Sequence, residues 1–341
     1  MISVIVHIIT NKLLNHLPFY RQSEMFARLG ITFGRSVMCD YFVKVSIALQ
    51  PLYETLCRLI LECQVLQADE TGLSMLDPES GKTRKTWIWV RKTGIGPPLT
   101  AFHFDLSRSS GVAQKLLGNY HGTILRDGYA AYGELPALAA CCWAHARRKF
   151  HEAENNHPQY AQAALGIIRQ LYAIEDAARE EAALKSGETA LFKARKRGRL
   201  LSAGRVDAYF KLCTEIVTGQ PPSSAIAKAA AYALKIEKEL RRFLDDPRLN
   251  IDNNACENVI RPFCIGRRNW LFVGSAGGGT SMAVLASFAA TCKDNGVDFE
   301  RWLADVLFRL DTTPAARVAE LLPHEWQKRR QAESAGDTAQ L

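Results

Sequence analysis

A chain of 341 residues with 48% hydrophobic and 23% charged residues is long enough for two or three domains and too apolar to be disordered throughout. Lysine and arginine (43) outnumber aspartate and glutamate (35), a net charge of +8; this suits a polyanionic partner, because basic side chains that neutralise phosphates release counterions. The nine cysteines are scattered, odd in number and form no C-x-x-C pair, which argues against a disulfide framework or a zinc ribbon and for reduced thiols in a cytosolic protein.

The opening MISVIVHIIT is apolar but short, and the polar NKLLNH after it makes neither a signal cleavage site nor a membrane span. No other apolar run is long enough to cross a bilayer, so the cytoplasm is the expected location. Arg21 to Leu29 reads as a helix stopped by Gly30, and Arg35 to Val45 as a second one, with Phe33, Val37, Tyr41 and Val45 at i, i+4 spacing. Two readings stand side by side. One is a helix-turn-helix with Arg35, Ser36 and Lys44 reaching phosphates or bases; the other is an ordinary helical hairpin packed on the next domain.

A connecting helix (Leu52 to Leu61) leads to strands: VLQAD (65–69), TWIWVRK (86–92) and LTAFHFDL (99–106), with a turn at Asp77-Pro78 and Gly81. A helix (Gly111 to Leu117) and a fourth strand, GTILRD (122–127), follow. ALAACCWAH (137–145) reads as a fifth strand entering the basic helix ARRKFHEAE. This order predicts an α/β fold with a mixed sheet. From about Gln159 to Asp246 the chain is Ala-rich and helical, broken by GQPPSS (219–224). The basic run KARKRGR (193–199) within it is either a solvated helix face or a DNA-backbone contact through Arg195, Lys196 and Arg197.

Asp69 in QADET and Asp127 in RDGYAAY both end strands. If those strands are neighbours, the two carboxylates meet at one sheet edge, where their repulsion is relieved by a cation. Oxygen ligands with open positions suit Mg²⁺ or Mn²⁺, and two such ions serve in-line phosphoryl displacement. Glu257, in the Asn-, Arg- and Gly-rich stretch LNIDNNACENVIRPFCIGRRNWLFVGSAGGG, is the candidate third acid. Asp252 is the expected N-cap, Glu257 falls in the second turn, and Pro262 ends the helix. A surface ion pair with Arg261 is the alternative role for Glu257. GSAGGGTS (274–281) has phosphate-loop spacing but Thr280 in place of the lysine, so no nucleotide cofactor is expected, although glycine backbone at a helix N-terminus suits a DNA phosphate. Cys142, His145 and His151 lack a fourth partner for a zinc site. His145 is expected to fill the core beside Trp143, with DNA contact as the alternative.

The segments HLPFYRQSEMFARLG, VLQADETGLSMLD, RDGYAAY, CWAHARRKF, RFLDDPRLNIDNNACENVIRP, GRRNWLFVGS and NGVDFERWLADVL through ELLPHEW occur in the order of one family. From about Leu13 to Trp326 the chain resembles the insertion sequence 66 family of DDE transposases. The resemblance implies an RNase H-like mixed sheet flanked by helices, with a helical insertion before the last catalytic helix. It divides the chain into a helix-turn-helix-like segment (1–62), the first part of the core (63–152), the insertion (153–248), the last part of the core (249–312) and a C-terminal helix with a loose polar tail past Lys328 (313–341).

By the same resemblance Asp69, Asp127 and Glu257 take the places of the DDE triad, with Asp69 bridging two ions and the other acids holding one each. Arg147, Arg148, Lys149, Arg261, Arg267 and Arg268 would grip phosphates. The implied activity is cleavage at transposon ends followed by attack of the freed 3′-hydroxyl on target DNA, by a homodimer on DNA, with accessory proteins of the same element as possible partners and association with the bacterial nucleoid. Alternatives are a nuclease of the same class without strand transfer and a truncated, non-mobile remnant that only binds DNA. Family members are generally longer at the N-terminus, where a Cys-rich region binds DNA, and usually carry His and Pro where this chain has Gln67 and Gly72.

Overall fold

The computed structural model describes residues 2–77, 79–185 and 187–338, with side chains as far as Glu333. Four helices come first: α1 (Ile2–Leu13), α2 (Phe19–Arg28), α3 (Arg35–Ala48) and α4 (Gln50–Glu62). Val6, Ile8 and Ile9 bury one face of α1, so the apolar opening segment is a core helix. In α3 the buried stripe is Met38, Phe42 and Val45, continued by Leu49. The expected stripe through Val37 is therefore corrected: Val37 is 39% exposed, and Phe33 packs instead against Phe26 and Tyr41, with ring centroids 5.3 and 6.3 Å apart.

The strands are β1 (Val65–Leu76), β2 (Thr83–Thr93), β3 (Thr100–Asp105), β4 (Thr123–Arg126) and β5 (Leu138–Cys141), with α5 (Ser110–Leu117) between β3 and β4. They form one mixed sheet in the order β3-β2-β1-β4-β5. β1, β2 and β3 are antiparallel neighbours, while β4 runs parallel to both β1 and β5. The β1–β2 hairpin is longer than VLQAD suggested, pairing Leu66 with Thr93 and Leu76 with Thr83. Gly81 turns it at φ +65°, and the expected Pro78 position lies outside the described residues. β5 stops at Cys141 and Trp143 already belongs to α6 (Trp143–Ala153), because Cys142 caps that helix; the strand expected through His145 is corrected accordingly.

Four further helices, α7 (Pro158–Ala183), α8 (Glu188–Gly219), α9 (Ala225–Lys235) and α10 (Glu237–Arg241), fill the segment between α6 and the last part of the core. Contacts between Gln170 and Arg205, Glu175 and Arg199, and Glu181 and Arg197 show α7 and α8 to be an antiparallel hairpin. The break at GQPPSS is real, and Ser224 caps α9 by accepting from the Ala227 N–H at 3.2 Å. Their buried residues form one core with β4, β5 and α6, around Trp143, Tyr209, Phe210 and Phe243. A second core joins α1, α3 and α4 to β1–β3 and the C-terminal helices α11 (Asn254–Trp270), α12 (Ala276–Asp294) and α13 (Phe299–Arg309).

The outer edge of β3 is covered rather than open. Ser287 and Thr291 of α12 accept from the Phe102 and Thr100 N–H groups at 2.8 and 3.1 Å, and Tyr53 of α4 donates to the Phe102 carbonyl at 2.5 Å; such covering blocks edge-to-edge association. Gly279 lets α12 approach, since a Cβ there would lie 2.6 Å from the Phe104 ring. GSAGGGTS thus supplies the capped first turn of α12, with Ser275 accepting from the Gly278 N–H at 3.1 Å. The polar stretch after Lys328, expected as a loose tail, continues α14 (Pro323–Thr338). Among the described residues, no helix is long and apolar enough to cross a membrane.

Candidate active site

Parallel pairing of β1 with β4 sets Gln67 opposite Leu125. Continued by two residues, that register brings Asp69 opposite Asp127, which follows the last residue of β4. The third acid arrives through α11. Asn253, buried at the start of that helix, donates to the Ala68 carbonyl at 3.1 Å, and the Cys256 N–H donates to Gln67 Oε1 at 3.1 Å. The first turn of α11 is thereby fastened to the residues just before Asp69, and Glu257 is the next residue after Cys256. Gln67, at 1% exposure, gives the Cys256 N–H a second acceptor besides the Asn253 carbonyl, 3.0 Å away.

Two expectations about α11 are corrected. Asn253, not Asp252, is its N-cap, and Glu257 lies in the first turn; Asp252 instead accepts from the Asn254 N–H at 3.1 Å. Pro262 does not end the helix, which runs on to Trp270. An internal proline costs about 3 kcal/mol in a lost hydrogen bond and a clash, and here the buried stripe Cys256, Ile260, Phe263 and Gly266 offsets it. Phe263 meets Phe102 edge-on, with centroids 4.8 Å apart. The helix ends at Leu271, whose φ is +61°, and the chain then joins β1 through a bridge between Val273 and Met75.

The electrostatics of this edge are those of uncompensated negative charge. Burial pushes the Asp69 carboxyl up to about 7; the Glu70 N–H, 2.8 Å away, opposes this, and the charges of Glu70, Asp127 and Glu257 add to it. Asp127 is held by the Tyr129 N–H at 2.9 Å. Glu257 lies 3.7 Å from His145 Nδ1 through Oε1 and 3.7 Å from Arg148 through Oε2, too long for hydrogen bonds. Its buried Oε1 has no hydrogen-bond partner among the described residues. The expected alternative, an ion pair of Glu257 with Arg261, is replaced by this approach to Arg148 and His145. A carboxyl of raised proton affinity under the charges of two further carboxylates is what a divalent cation neutralises, so the hard oxygen donors of Asp69, Asp127 and Glu257 suit one.

Sequence reasoning passed over Glu70, although QADET places two acids side by side. Neighbours on a strand face opposite ways, and Glu70 turns to the other face, where its side chain is fully buried. It accepts from Arg108 at 2.6 and 2.9 Å and from the Tyr132 hydroxyl at 2.6 Å. The Arg108 guanidinium lies 3.7 Å from the centroid of the Tyr129 ring, and the Tyr129 hydroxyl donates to the Arg108 carbonyl at 2.8 Å. Glu70 and Asp127 are thus linked through Arg108 and Tyr129.

The basic residues separate by burial. Arg35, Lys44, Arg147, Arg148, Lys149, Lys196, Arg197, Arg261 and Arg268 are exposed. Arg267 is half-buried and donates to the Gly72 carbonyl at 2.7 Å. Arg195 is corrected: it is 3% exposed, lies 3.0 Å from Glu175 and donates to Asn250 at 2.6 Å, so it belongs to the inner face of α8 and presents nothing to DNA. Arg197 pairs with Glu181 at 2.5 Å. His145 is corrected as well, since it borders the acidic edge at 21% side-chain exposure instead of filling the core. Cys142, His145 and Glu257 bring possible ligand atoms within 4.8 Å of one another, in place of the weighed set with His151. Burial pushes the Cys142 thiol up to about 12 against N–H groups of Asn253, His145 and Ala144.

Residues 2–281 match the profile of the Transposase IS66 family, and residues 287–324 match the IS66 C-terminal element. The chain belongs to the IS66 transposase family. It is 34% identical over 339 residues to the uncharacterized protein y4qI of Sinorhizobium fredii, covering 94% of this chain and 61% of that protein. With the uncharacterized protein y4jD of the same organism it shares 33% identity over 341 residues, 94% of this chain and 65% of the relative. The chain therefore spans under two thirds of the length of these curated relatives.

Proposed function

We propose that this chain carries the catalytic centre of a DNA transposase, which cleaves DNA at transposon ends and transfers the freed 3′-hydroxyl to target DNA. The observation that carries this is the raised proton affinity of Asp69, caused first by burial and increased by the charges of Glu70, Asp127 and Glu257. We read the sheet order, with acids on β1, after β4 and on the helix that follows the insertion, as an RNase H-like core. Asp69, Asp127 and Glu257 would hold two divalent cations, Mg²⁺ or Mn²⁺. Such cations, when bound, activate the attacking oxygen and stabilise the leaving one.

The chain's own residues supply position and charge. Gln67 and Asn253 fix the first turn of α11 against β1, and with it the reach of Glu257. Tyr129 fixes Asp127 through its N–H. Arg148, beside Glu257, and the exposed Arg147, Lys149, Arg261 and Arg268 suit the phosphates flanking the scissile bond, as does Arg267 where it reaches past Gly72. Arg35 and Lys44 on α3 and Lys196 and Arg197 on α8 extend the basic surface to more distant DNA. The partner is DNA, bound by paired protomers in the cytoplasm.

The test is cleavage and strand transfer on a labelled duplex bearing the element's end, with Mg²⁺ or Mn²⁺, for the chain and its Asp69→Asn form. Products that require both the cation and Asp69 are expected. Cutting that survives Asp69→Asn would remove the proposal, and cutting without joined products would reduce it to a nuclease.

A further inference from the structure

α6 begins with Cys142 as its N-cap and presents His145 three residues later, so both side chains lie on one side of its first turn. α11 brings Glu257 to the same point. The Asn253 N–H donates to Cys142 Sγ at 3.2 Å and the Trp143 N–H donates to the Ile251 carbonyl at 3.1 Å, which fastens the two helix starts together. Possible ligand atoms of Cys142, His145 and Glu257 lie within 4.8 Å of one another, and His145 Nδ1 is 3.7 Å from Glu257 Oε1. Both of these last atoms are buried without a hydrogen-bond partner among the described residues, an arrangement that costs stability unless something fills it.

Zinc bonds of about 2.0–2.3 Å in tetrahedral array put neighbouring ligand atoms about 3.4–3.8 Å apart. The His145–Glu257 distance already has that value, and the cysteine needs an inward shift of about 1 Å at most. Donor chemistry separates this site from the Asp69 edge. Thiolate and imidazole select a soft cation, whereas an all-oxygen set selects Mg²⁺. The N–H group of Asn253 at the sulfur supplies the outer hydrogen bond that zinc-bound thiolates use.

We propose that Cys142, His145 and Glu257 form a three-ligand site for one soft divalent cation, zinc foremost, with its fourth position open to water. On binding, the Cys142 thiol proton passes to solvent and Sγ, Nδ1 and Oε1 each give a lone pair to the cation. The consequence for chemistry rests on the role proposed above for Glu257: zinc withdraws that carboxylate from the cations at Asp69 and Asp127. Low concentrations of zinc then oppose Mg²⁺-dependent cutting.

The experiment uses the full chain and Co²⁺ as a spectroscopic stand-in for zinc. One equivalent is expected to give a thiolate-to-cobalt charge-transfer band in the near ultraviolet, with the strong visible bands of four-coordinate cobalt, both erased by Zn²⁺. Cys142→Ser should remove the charge-transfer band, and His145→Ala, at a side chain 21% exposed, should weaken cobalt binding at least about tenfold. Asp69→Asn and Asp127→Asn should keep the spectrum while losing Mg²⁺-dependent cutting, so failure here is distinguishable from failure of the transposase proposal. Circular dichroism and melting of each variant identify any that do not fold. Absence of the band in the wild-type chain, its survival in Cys142→Ser, or unchanged affinity in His145→Ala overturns the site.

Discussion

Two clusters of charged side chains in this molecule are built from similar residues and solved in opposite ways. In the helical segment between α6 and α11, Glu175 on α7 is 1% exposed and meets Arg199 at 2.9 Å and Arg195 at 3.0 Å. Arg199 also donates to the Leu249 carbonyl at 2.5 Å and to the carbonyls of Phe243 and Asp246. One carboxylate there is shared by two guanidinium groups, and backbone carbonyls take up most of the remaining N–H groups of Arg199. At the sheet edge, Asp69 feels the charges of Glu70, Asp127 and Glu257; Glu70 is held by Arg108 and Tyr132, while Glu257 meets Arg148 only at 3.7 Å. The proposed cation site would supply the compensation that the Asp69 edge does not find within the protein.

The sharpest contrast comes from neutralising one acid in each cluster. Asp69→Asn is expected to lower metal-dependent strand cutting by about 10³-fold or more, the several kcal/mol of charge stabilisation that bound cations supply, while the melting temperature holds or rises. Glu175→Gln should do the reverse. It leaves two buried guanidinium groups without their counter-ion, which costs about 3–5 kcal/mol of stability, and thermal denaturation would show it. Equal destabilisation by both substitutions would erase the contrast.

Next in size is the response to pH and cation. Folded Asp69 keeps its proton to about pH 7, against 3.8 for its ordinary value. Between those values the folded chain binds more protons than the unfolded one, so the Asp69 contribution to stability falls as pH rises from about 4 to 7. Melting without divalent ions should show that decline, and Asp69→Asn should flatten it. Mg²⁺ should raise the melting temperature more at pH 8 than at pH 6, because below 7 the cation must displace a proton. A Mg²⁺ effect independent of pH would refute the assignment.

Smaller effects follow from the supports. Glu70→Gln loosens Arg108 and Tyr129 and should cost about 10–100-fold in metal affinity or activity, measured by isothermal titration with Mn²⁺ alongside cutting. Lys196→Ala, on the exposed face of α8, should change stability by less than about 0.5 kcal/mol and lower the salt dependence of DNA binding by about one ion. Arg195→Ala, one residue away and facing inward, should instead unfold the α7–α8 hairpin earlier in denaturant; identical phenotypes for the two would contradict the burial difference.

Local pattern alone carried much of this protein. Strand segments rich in aromatic and β-branched residues, the long Ala-rich helices and the GQPPSS break follow from periodicity and turn chemistry, which act over a few residues. Asp69, Asp127 and Glu257 could be singled out as candidates because each sits in a distinctive short motif. Tertiary structure decided what local rules cannot reach. α11 continues through Pro262 because its buried stripe meets the sheet, and Arg195 turns inward because α7 places Glu175 opposite it. Gln67 gains its role only when a helix nearly two hundred residues later brings the Cys256 N–H to its side-chain oxygen. In each case the deciding energy comes from burial and pairing between segments far apart in the chain, and those depend on the assembled core rather than on any window of sequence.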